Sequence, residues 1–407
     1  MSLSEAMLLE DVRQRLFSPT PSATPRAVGA ELELIPVDAV TRAMVPVQVS
    51  AKALSRLNVR EGWAAQGSAD EPTSWRLPDG ASISFEPGGQ IEISSALHET
   101  ASSLIESLQR VAHLLEAEME GNGIALITRG VDPCNDIASV PLQLQRDRYI
   151  RMTNYFNSVS GSGIRMMRQT AALQINVERG DEPIARWRLL NALAPVVTAL
   201  FANSREYAGS DTGFASYRAQ LWRTLDHSRT GLAYSAEDSP FHYLRFALDA
   251  VAIRSGDATE GRPYHSFRNW MRKSDISIED WNFHLSTLFP EVRPKSYFEL
   301  RSADSIDIES LAAPIVFVTG LIYDPDCARR AGDFLGEPSP RLLETAGRDG
   351  LRDSGLREIA RELAGLSLHG AEALGERYLS AENCETARKY FARALDGQRP
   401  PGYRKAR

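Results

Sequence analysis

Four segments of the chain alternate apolar and polar residues with a period of two, the pattern of β-strands that bury one face. In AVGAELELIPVD, Val28, Ala30, Leu32 and Leu34 alternate with Gly29, Glu31 and Glu33. At about 3.3 Å per residue the two glutamates stand roughly 7 Å apart on one face. ISFEPGGQIEISSA starts with Ile83 and Phe85 on one side, breaks at Pro87-Gly88-Gly89, and resumes with Ile91 and Ile93 opposite Gln90, Glu92 and Ser94. Proline has no donor for the ladder and glycine permits bent backbone, so Glu86 falls at a kink. In MRQTAALQINVERG, Leu173, Ile175 and Val177 oppose Gln174, Asn176 and Glu178. In KSYFELRSAD, Phe298 and Leu300 oppose Tyr297, Glu299 and Arg301.

Between these strands the apolar spacing becomes helical. Leu8, Leu9, Val12 and Leu16 predict a helix over Glu5–Phe17, and Leu104, Leu108, Val111, Leu115 and Met119 predict another over Glu99–Glu120. WRLLNALAPVVTALFA reads as a buried helix bent near Pro195, and 241–254 as a further helix. Weaker strand signals lie in VPVQV (45–49) and SWRLPDG, and IALITRGV reads as a short buried strand. SPTPSATP is a linker, 256–264 a Gly-containing loop, and QRPPGYRKAR a basic, mobile tail. The expected architecture is α+β. Residues 1–310 carry the strands and intervening helices, and 311–407 read as a helical region packed on the same unit.

Composition narrows the classes of partner. With 407 residues, 43% hydrophobic and 24% charged, the chain has ample material for a core. A net charge of −7 argues against nucleic acid. No apolar run approaches a membrane span, and the N-terminus lacks the charge order of a signal peptide. Cys134, Cys327 and Cys384 form no CxxC pair, which suggests a reducing cytoplasm.

The polar faces of the four strands carry Glu31, Glu33, Glu92, Gln174, Asn176 and Glu299, with Glu86 beside them. Taken singly, each face also reads as the solvated side of a half-exposed sheet. Taken together they hold five glutamates and few cations, and like charges side by side are destabilising unless compensated. All-oxygen donors of this kind suit Mg²⁺ or Mn²⁺. Arg293 and Lys295 precede Glu299, and Arg301 shares its face. Carboxylate-held metals flanked by such cations suit phosphoryl transfer, which needs positioning and charge neutralisation. No GxxxxGK[ST], GxGxxG, HExxH or GxSxG motif occurs. His284, in WNFHLSTLF, reads as a core residue, and Cys134 as an inert thiol.

Several ordered motifs now agree. GAELE, ISFEPGGQIEIS, RQTAALQINVE, YRAQLW…LDHSRTGL and HLSTLFPEVRPKSYFELRSAD resemble the glutamate–cysteine ligases of the plant and proteobacterial type, over about residues 26–304. That group includes ligases of ergothioneine synthesis. The resemblance implies a curved antiparallel sheet of the glutamine-synthetase type with helices on its outer face. It also implies ATP as co-substrate, Mg²⁺ (or Mn²⁺), and activation of glutamate as γ-glutamyl phosphate for attack by the amine of cysteine. Glu31, Glu33, Glu86, Glu92 and Glu299 match the metal acids, and Arg301 the phosphate-contacting arginine, with Arg293 and Lys295 beside it. Arg229, Trp222 and Arg218 match the substrate side, and Gln174 and Asn176 lie on the strand that supplies a further ligand. Two departures, Arg205 in ANSRE and the segment SADSID, leave the acceptor open: cysteine, or another amine. A non-catalytic nucleotide- or amino-acid-binding relative would lack metal acids, and none of the five is lost. The implied partners are small molecules only, and the oligomeric state is left open.

Overall fold

The computed structural model describes residues 3–20, 26–67, 72–254 and 263–397. Most of the expected linker at 18–25, most of the loop at 256–264, and the tail from residue 398 lie outside the described residues. Among the described residues, nine strands build one antiparallel sheet. They are β1 (Val28–Asp38), β2 (Ala64–Gly67), β3 (Pro72–Arg76), β4 (Ser82–Phe85), β5 (Ile91–Ser94), β6 (Ile124–Ile127), β7 (Ala172–Val177), β8 (Val292–Pro294) and β9 (Phe298–Asp304). The strand order is β8-β9-β7-β1-β5-β4-β3-β2, with β6 paired to the far end of β1. The eleven-residue β1 is therefore central, bonded to β5 on one side and β7 on the other.

Alternation decides which face is covered. Val28, Ala30, Leu32, Leu173, Ile175, Val177, Ile91, Ile93, Phe298 and Leu300 all enter one apolar core. Helices Ala101–Glu120, Pro183–Leu200 and Ala312–Tyr323 close that face. Helix Ala312–Tyr323 is buried along its whole length, as an all-apolar helix must be. It crosses helix Ser354–Leu374 backbone to backbone: a Cβ on Gly320 would lie 2.1 Å from the Ser367 carbonyl, and one on Gly370 2.0 Å from that of Gly320. The hydroxyls of Tyr323 and Tyr378 donate to the carbonyls of Ala27 (2.5 Å) and Arg26 (2.8 Å), tying the C-terminal helices to the start of β1. No single helix among the described residues is long and apolar enough to cross a membrane.

Two local expectations change. VPVQV is not a strand; Val47 opens the helix Val47–Glu61, with Pro46 as its non-helical cap and Val47, Ser50, Ala53, Leu54 and Leu57 as its buried stripe. A proline before a helical stripe is a start signal, and here it outweighs the β-propensity of valine. The strand expected from Met167 begins only at Ala172, because Gly161–Gln169 is a helix capped by Ser160.

His284 is a core residue, as its setting in WNFHLSTLF suggested. Its Nε2 lies 2.7 Å from the Ala247 carbonyl and its ring stacks on Phe267 at 4.4 Å, while Nδ1 has no partner. Burial pushes its pKa down from 6.5 to about 3, helped by Arg229. Between these values the unfolded chain binds a proton that the folded one refuses, so stability is complete above pH 6.5 and falls as pH drops. Wild-type protein is expected to lose about 1.4 kcal/mol per pH unit through this group below pH 6.5. Urea unfolding at pH 7.5, 6 and 5 should show that slope diminished in His284→Gln.

Candidate active site

The register brings the predicted polar faces onto one wall. Glu31 pairs with Ser94 on β5 and with Gln174 on β7, Glu33 with Glu92, and Glu299 with Asn176 and Arg293. Directly opposed residues in antiparallel strands point to the same side. Acids from distant parts of the chain thus share one surface, opposite the helical core.

This wall has two electrostatic halves. On the first, burial raises Glu31 to about 7, reinforced by Glu299 and Glu92, and raises Glu33 to about 8, reinforced by Glu92. Glu86 is pushed well above the ordinary range by burial, then by Glu92 and Glu33. Glu33 accepts hydrogen bonds from the Ala172 N–H (2.8 Å) and Gln174 Nε2 (3.2 Å), and Glu92 from Ser94 Oγ (2.9 Å). No cation forms an ion pair with Glu33, Glu86 or Glu92 among the described residues; Lys295 approaches Glu31 at 3.9 Å.

The second half is saturated with positive charge. Glu299, fully buried, accepts from Arg293 Nε (2.7 Å) and Nη2 (3.0 Å), Lys295 Nζ (2.5 Å) and Arg301 Nη1 (2.5 Å). Burial alone would raise its pKa, but Arg293, Arg301 and Lys295 outweigh that and hold it well below the carboxylate range. Arg301 also donates to Gln174 Oε1. Both oxygens of Glu299, expected among the metal acids, are therefore taken up in binding cations, which orients them. Asn176 Oδ1 beside it has no partner.

Among the described residues no three acids are drawn into a ready-made cage. The fit to a divalent ion rests on the donor set: Glu31, Glu33 and Glu86 are desolvated carboxyls that repel one another and Glu92, with the nearby cations too few or too distant to offset this, a state an oxygen-favouring cation relieves.

Glu86 is held by a turn that only glycine allows. A Cβ on Gly88 would lie 2.0 Å from the Arg168 carbonyl, and Gly89 has φ +91° with Gln143 against it. Gln90 caps the turn through its Oε1, accepting from the Gly88 N–H (3.0 Å), and donates to the Thr170 carbonyl (2.9 Å). Gln143 Nε2 donates to the Gly88 carbonyl (2.6 Å), and its own N–H to that of Pro87 (2.8 Å). The same segment leads into helix Asp147–Val159, which sets Arg148 and Tyr149 near Glu86. Nothing in the local sequence signals this placement or marks Gln143.

The expected substrate residues separate. Two guanidinium groups lie over the Trp222 ring, Arg218 at 5.4 Å and Arg301 at 5.2 Å from its centroid. Arg218 is 3% exposed, donates to the Arg301 carbonyl (2.8 Å), and faces Asp304 at 3.8 Å. Arg229 is not at an open surface. It is 0% exposed, and its donors go to Asp226 (2.7 Å), the Thr287 carbonyl (2.9 Å) and the Val251 carbonyl (2.6 Å), with Tyr155 under its plane. With those donors spent, it locks the 226–230 segment in place. Two residues were missed. Asp304, buried, accepts from the Asn203 N–H (2.7 Å), Ser204 Oγ (2.7 Å) and Ser216 Oγ (3.0 Å), and Glu291 sits beside Arg301. Both lie inside quoted motifs, SADSID and PEVR, and their acidity was the available signal. Arg205 of ANSRE points outward, paired with Asp211 at 2.7 Å.

The fold matches the 2.0 Å crystal structure of glutamate–cysteine ligase (gshA) from Francisella tularensis in complex with AMP, with TM-score 0.54 and 12% identity over 95% of this chain and 84% of that one. The chain belongs to the glutamate–cysteine ligase family 2 (GCS2), whose sequence profile matches residues 27–398. It is 30% identical to the chloroplastic glutamate–cysteine ligase of Brassica juncea over 94% of this chain and 78% of the relative. Glutamate–cysteine ligase EgtA of Mycolicibacterium smegmatis is 31% identical over 73% of each. The chloroplastic ligase A of Oryza sativa subsp. japonica is 32% identical over 72% of this chain, which spans 64% of that relative's length.

Proposed function

We propose that the protein is an ATP-dependent ligase that joins the γ-carboxyl of L-glutamate to the amine of L-cysteine through γ-glutamyl phosphate. The observation that carries this is the split wall: an acidic half whose carboxyls are raised by burial and mutual repulsion, beside a cationic half, on one sheet face. Glu31, Glu33, Glu86 and Glu92 would hold Mg²⁺ (or Mn²⁺), which supplies charge neutralisation for the phosphates of ATP. Glu299 gathers Arg293, Lys295 and Arg301 into one rigid cationic group facing the transferring phosphoryl. Gln174 bridges the halves, bonding Glu33 and Arg301. Arg218 and Trp222 fix Arg301 from behind and border the glutamate site. No side-chain nucleophile is required.

We place the catalytic sheet within 1–310, with 311–407 as a helical region packed on the same unit. Three unpaired cysteines suit a reducing, cytoplasmic setting. A second reading keeps the chemistry and changes the acceptor; the departures at ANSRE and SADSID motivate it. ADP release with glutamate, ATP and Mg²⁺ tests both, each amine being added in turn. Dominant release with cysteine is expected. A different dominant amine selects the second reading, and no amine-dependent release refutes both.

A further inference from the structure

A cavity of about 250 Å³ lies between helix Tyr217–Leu225, the Thr230–Leu232 segment and helix Pro340–Asp349. Ala219, Gln220, Arg223, Leu232, Leu343 and Glu291 line it. A second, much smaller gap, bordered by Arg218, Trp222, Arg301 and Ser302, shares two lining residues with the cavity, Ala219 and Glu291. Glu291 thus stands between the cavity and Arg301, the residue assigned to the reacting phosphoryl.

We propose that this cavity holds the amine acceptor and that the Glu291 carboxylate takes the proton from its ammonium group. The proposal rests on the ligase reading above and identifies the second substrate's site within it.

Glu291 differs from the other acids of the wall. Its main-chain carbonyl accepts the Arg301 N–H (2.9 Å), pairing it directly across from Arg301. Its Oε2 accepts from Ser302 Oγ (2.6 Å), and it has no ion pair among the described residues. The carboxylate is anchored at one oxygen, and the residue lines the cavity. Burial holds its pKa above the ordinary range, which suits a group that must accept a proton. Arg223 and its partner Glu344, 3.3 Å apart, both line the cavity, so a guest carboxylate there shares Arg223 with Glu344. A small amino acid fits with its ammonium inward on Glu291, its carboxylate on Arg223, and its side chain among Leu232, Leu343 and Pro340.

The chemistry requires such a group. An ammonium has no lone pair, so the acceptor must lose a proton before it attacks. Glu291 removes one N–H proton, the freed amine forms the C–N bond at the acyl carbon, and the C–O bond to phosphate breaks. The second N–H proton leaves with the phosphate. Glu291 then returns its proton to water.

Hydroxylamine separates this step from the one before it, because its nitrogen is already unprotonated at neutral pH. Glu291→Gln keeps an acceptor for Ser302 and the cavity volume. In that variant, cysteine-dependent ADP release is expected to fall about 100-fold or more, while γ-glutamyl hydroxamate formation from hydroxylamine stays within about threefold of wild type. Leu343→Trp, on the cavity wall, is expected to raise the KM for cysteine about tenfold without changing that for ATP or glutamate. An unchanged cysteine rate in Glu291→Gln overturns the proposal, as does an equal loss with hydroxylamine, which would make Glu291 only a support for Arg301. An unchanged cysteine KM in Leu343→Trp also overturns it. If wild-type protein forms neither product, the ligase reading itself fails.

Discussion

Glu92→Gln is expected to lower turnover at least about 100-fold while leaving the metal-free protein as stable as wild type or more so. The two effects have one cause. Glu92 faces Glu33 across the β1–β5 ladder and contributes to the raised pKa of Glu31, Glu33 and Glu86. Its Oε1 accepts from two hydroxyls, Ser94 at 2.9 Å and Ser84 at 3.4 Å, and the amide oxygen of glutamine can accept the same bonds. The substitution therefore removes one negative charge from a repelling group and breaks no ion pair, which favours the folded state without metal. It also removes one ligand charge from the group proposed to hold the cation, which costs activity. Steady-state turnover should be set beside thermal melts in chelator and in Mg²⁺. Wild type should gain thermal stability from Mg²⁺ and the variant should gain less. Full activity in the variant, or a melting temperature well below wild type in chelator, would remove Glu92 from the metal group.

Asp304→Ala is expected to cost about 3–5 kcal/mol of unfolding free energy, since removing one partner leaves a buried cation and several donors uncompensated. Asp304 lies where β9 meets the 203–204 segment and the start of helix Tyr217–Leu225. Its loss strands the Asn203 N–H, Ser204 Oγ, Ser216 Oγ and the guanidinium of Arg218. Gly130 is packed against it so closely that a Cβ would lie 2.3 Å from its carboxyl carbon. Asp304→Asn keeps the shape and should cost less. Urea unfolding followed by tryptophan fluorescence measures both. A loss under about 1 kcal/mol for the alanine variant would mean that the knot contributes no more than a surface pair.

Local rules account for much of this site. The parity of Glu31, Glu33, Glu92, Gln174 and Glu299 could be read directly, because the two-residue repeat of a strand ties each side chain to its neighbours in sequence. The bend at Glu86 was equally local, carried by a proline and two glycines. Arg293, Lys295 and Arg301 lie within a few residues of Glu299 in one hairpin, so their association was also within reach. The role of Arg229 was not. An arginine in a loop sequence looks available, and only packing of Tyr155, Thr287 and Val251 around it uses up its donors. Gln143 and Asp304 escaped notice for the same reason: their partners come from segments tens of residues away, and short-range periodicity carries no information about such pairs.

From the order of residues alone came an α+β chain with carboxylates and amides on one face of several strands, and family motifs strong enough to place it among glutamate–cysteine ligases. Those properties depend on neighbours in sequence, through strand repeat, turn chemistry and motif spacing. The folded chain settled which strands lie side by side, and hence that Glu33 meets Glu92 while Glu299 is enclosed by three cations. Register and burial set charge in this protein. The same residue type, glutamate, stands near pH 8 on one half of the wall and far below its ordinary range on the other, because desolvation and Coulomb attraction depend on distances that only the assembled sheet defines.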